Sequence, residues 1–180
     1  LGPEIAARTI TLTSATKAFN IAGLRCAVAV FGTPELQRRF NAVHPHARGG
    51  LGAPGLAATA AAWSQCQDWL DEVVRYLEDN RDLVAGHVAD HWPDVKHHRP
   101  EATYLAWLDF RAMALEPSPQ RFLFDRARVW LSPGEDFGVE GEGFVRLNFA
   151  TPRPILLQIL ARMDEALLRE KGTGTFGAER

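Results

Sequence analysis

The feature that most constrains this sequence is a long amphipathic stretch through its middle. Leu56, Ala60, Trp63, Leu70, Val73, Val74 and Leu77 recur mostly three or four residues apart, with Asp68, Asp71, Glu72 and Arg75 between them. That spacing lays an apolar stripe along one face of a helix. Asp82 to His91 either continues this helix or packs back on it. Trp92-Pro93 ends it, because the residue before a proline is pushed out of the helical region. So long a helix divides the chain into a part before it and a part after it.

Both parts carry strands. Ile10 to Ser14 reads as a short β-branched strand running into a polar turn. Cys26 to Phe31 is continuously apolar, as in a strand buried on both faces. Thr33 then caps a helix with Pro34 at its first position, predicted to run through Leu36, Phe40 and Val43. His44 to Gly55 is rich in glycine and proline and reads as a loop. Beyond the long helix, Thr103 to Phe110 is an aromatic-rich strand, Pro119 to Ala127 a short helix, and Val129 to Leu131 a short strand ending at Ser132-Pro133-Gly134. In Phe144 to Ala150 the residues Val145, Leu147 and Phe149 point one way while Arg146 and Asn148 point the other. Pro154 to Arg169 is an amphipathic helix, and the last ten residues, Gly-rich and polar, are expected to fray. The expected fold class is α/β, with an α/β part at 1–92 and a compact α+β part at 93–180.

Composition narrows the function. With 180 residues, 46% of them hydrophobic, the chain can bury a real core. A net charge of -2 argues against broad attraction to nucleic acid or to anionic membranes. No apolar run approaches the roughly 18 residues of a membrane helix, and no signal peptide is recognisable, so the expected location is cytoplasmic. Cys26 and Cys66 lie far apart without metal-ligand spacing and read as reduced thiols. His44 with His46, and His97 with His98, have no third ligand at useful spacing, so no metal site is expected.

One segment carries chemistry. Ser14-Ala15-Thr16-Lys17-Ala18-Phe19-Asn20-Ile21-Ala22-Gly23-Leu24-Arg25 sets a lysine in a polar turn beside hydroxyl residues, with an arginine eight positions on. Hydroxyls and a guanidinium can hold a phosphate dianion by charge-assisted hydrogen bonds. An amine with a cationic neighbour has a lowered pKa, so that its neutral form can add to an aldehyde. A phosphate grip and a reactive lysine on one loop are what a pyridoxal phosphate site requires.

The full string resembles the cofactor-lysine motif of class I and II aminotransferases and related fold-type I enzymes. Pro100 to Asp109 and Gly143 to Ala150 resemble the small-domain strands of the same superfamily, most of all in its MalY/PatB subgroup of cystathionine β-lyases. The resemblance implies the C-terminal part of such an enzyme. Residues 1–92 would be the end of the large domain with the long interdomain helix, and 93–180 the small domain. It further implies pyridoxal 5'-phosphate as cofactor, a small-molecule amino-acid substrate and a homodimer as the intact assembly. Lys17 matches the Schiff-base lysine, and Ser14 and Arg25 match residues on the cofactor phosphate, with Thr16 in an assisting place. Arg146 matches the arginine that clamps the substrate α-carboxylate, a task suited to its planar fork.

The implied reaction is either C–S β-lysis, releasing thiol, pyruvate and ammonia, or amino transfer; the matched residues serve both. The subgroup likeness favours the lyase. In the family, the acidic partner of the pyridine nitrogen and the aromatic that stacks on the ring precede the lysine. Here only sixteen residues precede Lys17, beginning Leu1-Gly2-Pro3, and none supplies them. A truncated, catalytically inactive remnant is therefore the expectation from another class.

Overall fold

The computed structural model describes residues 2–173, with 171–173 described by their helical backbone alone. It falls into two compact units, one up to Val73 and one from Val74 onward.

The first unit begins with a short helix α1 (Pro3–Ala6) and strand β1 (Ile10–Thr13), which pairs antiparallel with β2 (Val28–Phe31). Ile10 stands opposite Phe31 and Thr13 opposite Val28, so residues 14–27 form one loop closed at its base by the hairpin. The double-sided burial expected of Cys26 to Phe31 does not occur. The strand begins only at Val28, its sole partner among the described residues is β1, and Val30 is 56% exposed. Cys26 is instead buried as part of the loop.

Helix α2 (Pro34–Asn41) starts as expected, with the Leu36 N–H donating to the Thr33 hydroxyl at 3.3 Å. His44 to Gly55 is less irregular than its composition suggests. It contains a single-turn helix α3 (Pro45–Arg48) and the start of α4 (Ala53–Gln65), with Pro54 in the first turn, where a missing N–H costs nothing. Cys66 interrupts the long helical stretch, and α5 (Gln67–His91) then runs through Asp82 to His91 without turning back.

The second unit begins within α5. It adds β3 (Lys96–His97), β4 (Leu105–Asp109), α6 (Pro119–Ala127), β5 (Ser132–Pro133), β6 (Phe144–Asn148) and α7 (Arg153–Thr173). The fraying expected from residue 171 is not seen at 171–173, which belong to α7; the rest of that stretch lies outside the described residues. The four strands form an antiparallel sheet in the order β3-β4-β6-β5.

Alternation sorts the faces of this sheet. Ala106, Leu108, Val145 and Leu147 are buried in one core with Val84, Val88 and Trp92 of the α5 end, Leu123 of α6, and Leu156, Leu160 and Met163 of α7. The strand expected at Val129 to Leu131 lies one step later. Val129 and Leu131 are buried in the core as irregular backbone, and Ser132 and Pro133 make the pairing to β6.

One buried polar residue ties the unit together. Asn80 on α5 is fully buried, and its amide donates to the carbonyls of Phe149 and Thr151, both at 3.0 Å. Its own carbonyl accepts from Arg153 Nε at 3.1 Å. The backbone just past β6 is thereby satisfied where no strand reaches it.

Candidate functional site

In the first unit the chemistry-bearing residues sit on the hairpin loop. Ala15 and Cys26 are buried at its two ends and act as its anchors. Between them the backbone bonds to itself, Phe19 N–H to Ala15 carbonyl at 3.0 Å and Ile21 N–H to Thr16 carbonyl at 3.1 Å. Asn20 and Arg25 both have positive φ, 54° and 48°. Asparagine tolerates this region readily, whereas for arginine it is a strained position that the surroundings must hold. The hold comes from the 3-10 turn Ala22–Leu24, which Arg25 closes, and from α4, whose Gly55 packs against the Leu24 carbonyl. A Cβ at Gly55 would overlap that oxygen, so only glycine allows the helix so close. Phe19 stacks on Trp69 of α5 with ring centroids 6.0 Å apart, fixing the far side of the turn.

On this scaffold the Ser14 and Thr16 hydroxyls lie 2.7 Å apart in hydrogen-bond contact. Lys17 and Arg25 are exposed, and neither side chain makes an ion pair or hydrogen bond among the described residues. Two adjoining hydroxyls and two uncompensated cations on one short loop are a donor set suited to a phosphate dianion. Ser14 and Thr16 are in direct contact, and Lys17 and Arg25 lie exposed on the same loop.

Arg146 belongs to the second unit. It lies on the sheet face opposite to buried Val145 and Leu147, flanked by Trp107 on β4 and Ser132 on β5 in direct cross-strand register. One Nη donates to the Ser132 hydroxyl at 3.1 Å, and Cζ stands 4.5 Å from the centre of the Phe137 ring. No carboxylate among the described residues pairs with it. The acid on β4, Asp109, is engaged by Arg111 through bonds of 2.9 Å and 2.7 Å. That guanidinium holds the Asp109 carboxyl below the usual carboxylate range, with burial opposing. Arg146 is therefore a half-buried guanidinium with spare donors, suited to receive a carboxylate from outside the protein.

Sequence reasoning missed Ser132 and Phe137 as companions of Arg146. Ser132 read as a turn residue, and Phe137 lies in a 3-10 turn (Gly134–Phe137) with no periodic pattern to place it. Gly55 read only as a loop marker. Nothing in composition indicates which backbone it approaches. His44 and His46 stack on each other at 5.2 Å, and no group of potential metal ligands gathers among the described residues. No helix among those residues is long and apolar enough to cross a membrane. Both cysteines are free thiols.

Comparison with known proteins gives a consistent result. The family model for aminotransferase class I and II matches residues 1–163. The chain is 36% identical over 168 residues to the cystathionine beta-lyase of Corynebacterium glutamicum, covering 91% of this chain and 44% of the relative. It is 34% identical over 169 residues to the cystathionine beta-lyase PatB of Bacillus subtilis (strain 168), covering 93% and 44%. Among solved structures it superposes on cystalysin from Treponema denticola, which contains a pyridoxal 5'-phosphate cofactor. The TM-score is 0.86 at 30% identity, covering 93% of this chain and 43% of that one. The chain thus spans less than half the length of the relatives it matches.

Proposed function

The chain belongs to the class I and II aminotransferase family, and on that premise we propose that it is the lysine-bearing part of a pyridoxal 5'-phosphate enzyme of the C–S β-lyase kind. The observation that carries this reading is the loop at residues 14–25, where hydroxyls, a free ammonium and a free guanidinium share one anchored turn. When bound, the cofactor supplies an electron sink for negative charge at the substrate Cα.

Each residue has a task of its own. The Ser14 hydroxyl and the Arg25 guanidinium hold the phosphate dianion, with Thr16 fixing the orientation of Ser14 at 2.7 Å. Lys17 would hold the cofactor through its Nζ, and that amine would serve as the general base for the substrate Cα proton. In the second unit Arg146 binds the substrate α-carboxylate with the donors that Ser132 leaves unused. Loss of the proton and of a thiolate from Cβ yields a thiol, pyruvate and ammonia after addition of water. The names of the matched relatives support the lyase outcome over amino transfer. The residue ranges 1–92 and 93–180 are proposed as the end of the large domain and the small domain of the family. We extend the proposal to a cytoplasmic homodimer as the intact assembly, on the family resemblance and the free thiols.

The test mixes the whole chain with pyridoxal 5'-phosphate and records the visible spectrum, then adds cystathionine and assays pyruvate. A visible band that disappears in Lys17→Ala, followed by pyruvate release, is the expected result. A band with amino transfer to an oxo-acid and no pyruvate would replace the lyase by an aminotransferase. Absence of any Lys17-dependent band would show that this chain by itself does not hold the cofactor.

A further inference from the structure

Arg146 shares its sheet face with an unbroken line of rings and cations. Asp109 grips Arg111 through both carboxylate oxygens. Cζ of Arg111 lies 4.6 Å from the centre of Phe144. Phe144 stacks on Trp107 with centroids 5.4 Å apart and planes 19° from parallel. Trp107 meets Phe137 edge-to-face at 5.5 Å and 84°, and Phe137 carries the Arg146 guanidinium at 4.5 Å. The line begins at an ion pair and ends at the one guanidinium on it without a carboxylate.

Phe137 is 52% exposed, as is unusual for a ring of its size, and it contributes nothing to the buried core. Its neighbours nonetheless fix it, because an edge-to-face contact sets both distance and tilt. A guanidinium resting over a ring gains attraction through its face while its N–H groups remain free at its edge. Ser132 takes one of those N–H groups and stops the guanidinium from rotating on the ring.

We propose that Phe137 and Ser132 are positioning residues that hold the Arg146 guanidinium ready for an incoming carboxylate, and that Trp107 acts through Phe137. The inference rests on the carboxylate-binding role assigned to Arg146, but the ordering of the side chain can be read without any ligand. Long arginine side chains lose rotamer freedom on binding, so one already fixed binds a carboxylate more tightly.

The experiment follows the Arg146 Nε–Hε signal by NMR in the full chain, first alone and then titrated with L-cystathionine. In the ligand-free chain the ring beneath the guanidinium should displace this signal upfield. Phe137→Leu should return it to the position of a free arginine, and Phe137→Tyr should restore it. In the titration Phe137→Leu and Ser132→Ala should each weaken binding roughly three- to tenfold, with Phe137→Tyr close to the unmodified chain. An Arg146 signal unmoved by Phe137→Leu would overturn the positioning role, whatever the titration shows. Equal affinity in Phe137→Leu, Ser132→Ala and the unmodified chain would overturn it too. If instead Arg146→Lys binds as well as the unmodified chain, or nothing binds, the carboxylate role of Arg146 fails while the ligand-free signal still decides the positioning. Thermal unfolding of each variant separates loss of fold from loss of order, and Ser132→Ala serves where Phe137→Leu does not fold.

Discussion

At the scale of single residues, Asp109 shows how charge is distributed on the sheet face. Its carboxyl is held below the usual range chiefly by the hydrogen bonds from the Arg111 side chain. A carboxylate whose folded-state pKa is depressed stabilises the fold above its unfolded pKa of about 3.9, and that contribution is lost as pH falls through the folded value. Asp109→Asn should therefore lower the melting temperature at pH 7. The gap to the unmodified chain should close progressively below about pH 4, as thermal melts at a series of pH values would show. A gap that persists unchanged at low pH would mean that the pair contributes through packing rather than charge. Arg146 is the counterpart: its own strand neighbours are an indole and a hydroxyl, so its charge is left for use elsewhere.

Among the elements, helix α4 shows what one missing side chain does. Gly55 lets α4 lie against the Leu24 carbonyl, whereas Gly86 on α5 faces open space. Gly55→Ala should destabilise the chain and weaken the Lys17-dependent cofactor band, because the loop that ends at Arg25 must give way. Gly86→Ala should stabilise by about 1 kcal/mol through helix propensity alone. Paired chemical denaturation curves check both signs, and stabilisation by both would show that the close approach of α4 does not matter. These two glycines also mark the limit of what the sequence made legible. Periodicity found α5, α7 and β6, because each has a face whose burial repeats along the chain, whereas α2 was legible from its Thr33-Pro34 start and β4 from its aromatic residues. The β1–β2 hairpin was legible as strands but not in its exposure, since an apolar run reads alike whether or not a neighbouring layer covers it. The Ser14 to Arg25 constellation was legible because its residues are close in sequence. Ser132 and Phe137 were not, because strand register and a 3-10 turn bring them to Arg146, and neither leaves a periodic trace.

In the molecule as a whole, the two units differ in how much apolar surface they bury. The second has one contiguous core drawn from α5, α6, α7, β4 and β6, whereas the first, among its described apolar residues, buries only Ala15, Cys26 and Ala62. Burial of apolar surface is the main favourable contribution to folding. Hydrogen exchange should accordingly be slowest at the amides of β4 and β6 and faster by orders of magnitude at β1 and β2. Equal protection in the two sheets would contradict this ranking. The position of Asn80 carries a further consequence for how the protein is made. Its two acceptor carbonyls lie 69 and 71 residues further along the chain. A ribosome that delivers the N-terminus first releases α5 well before Phe149 and Thr151 exist. Until then the Asn80 amide must stay in water, and the face of α5 that carries it cannot close over a dry core. The second unit can thus complete itself only once β6 and the start of α7 have arrived.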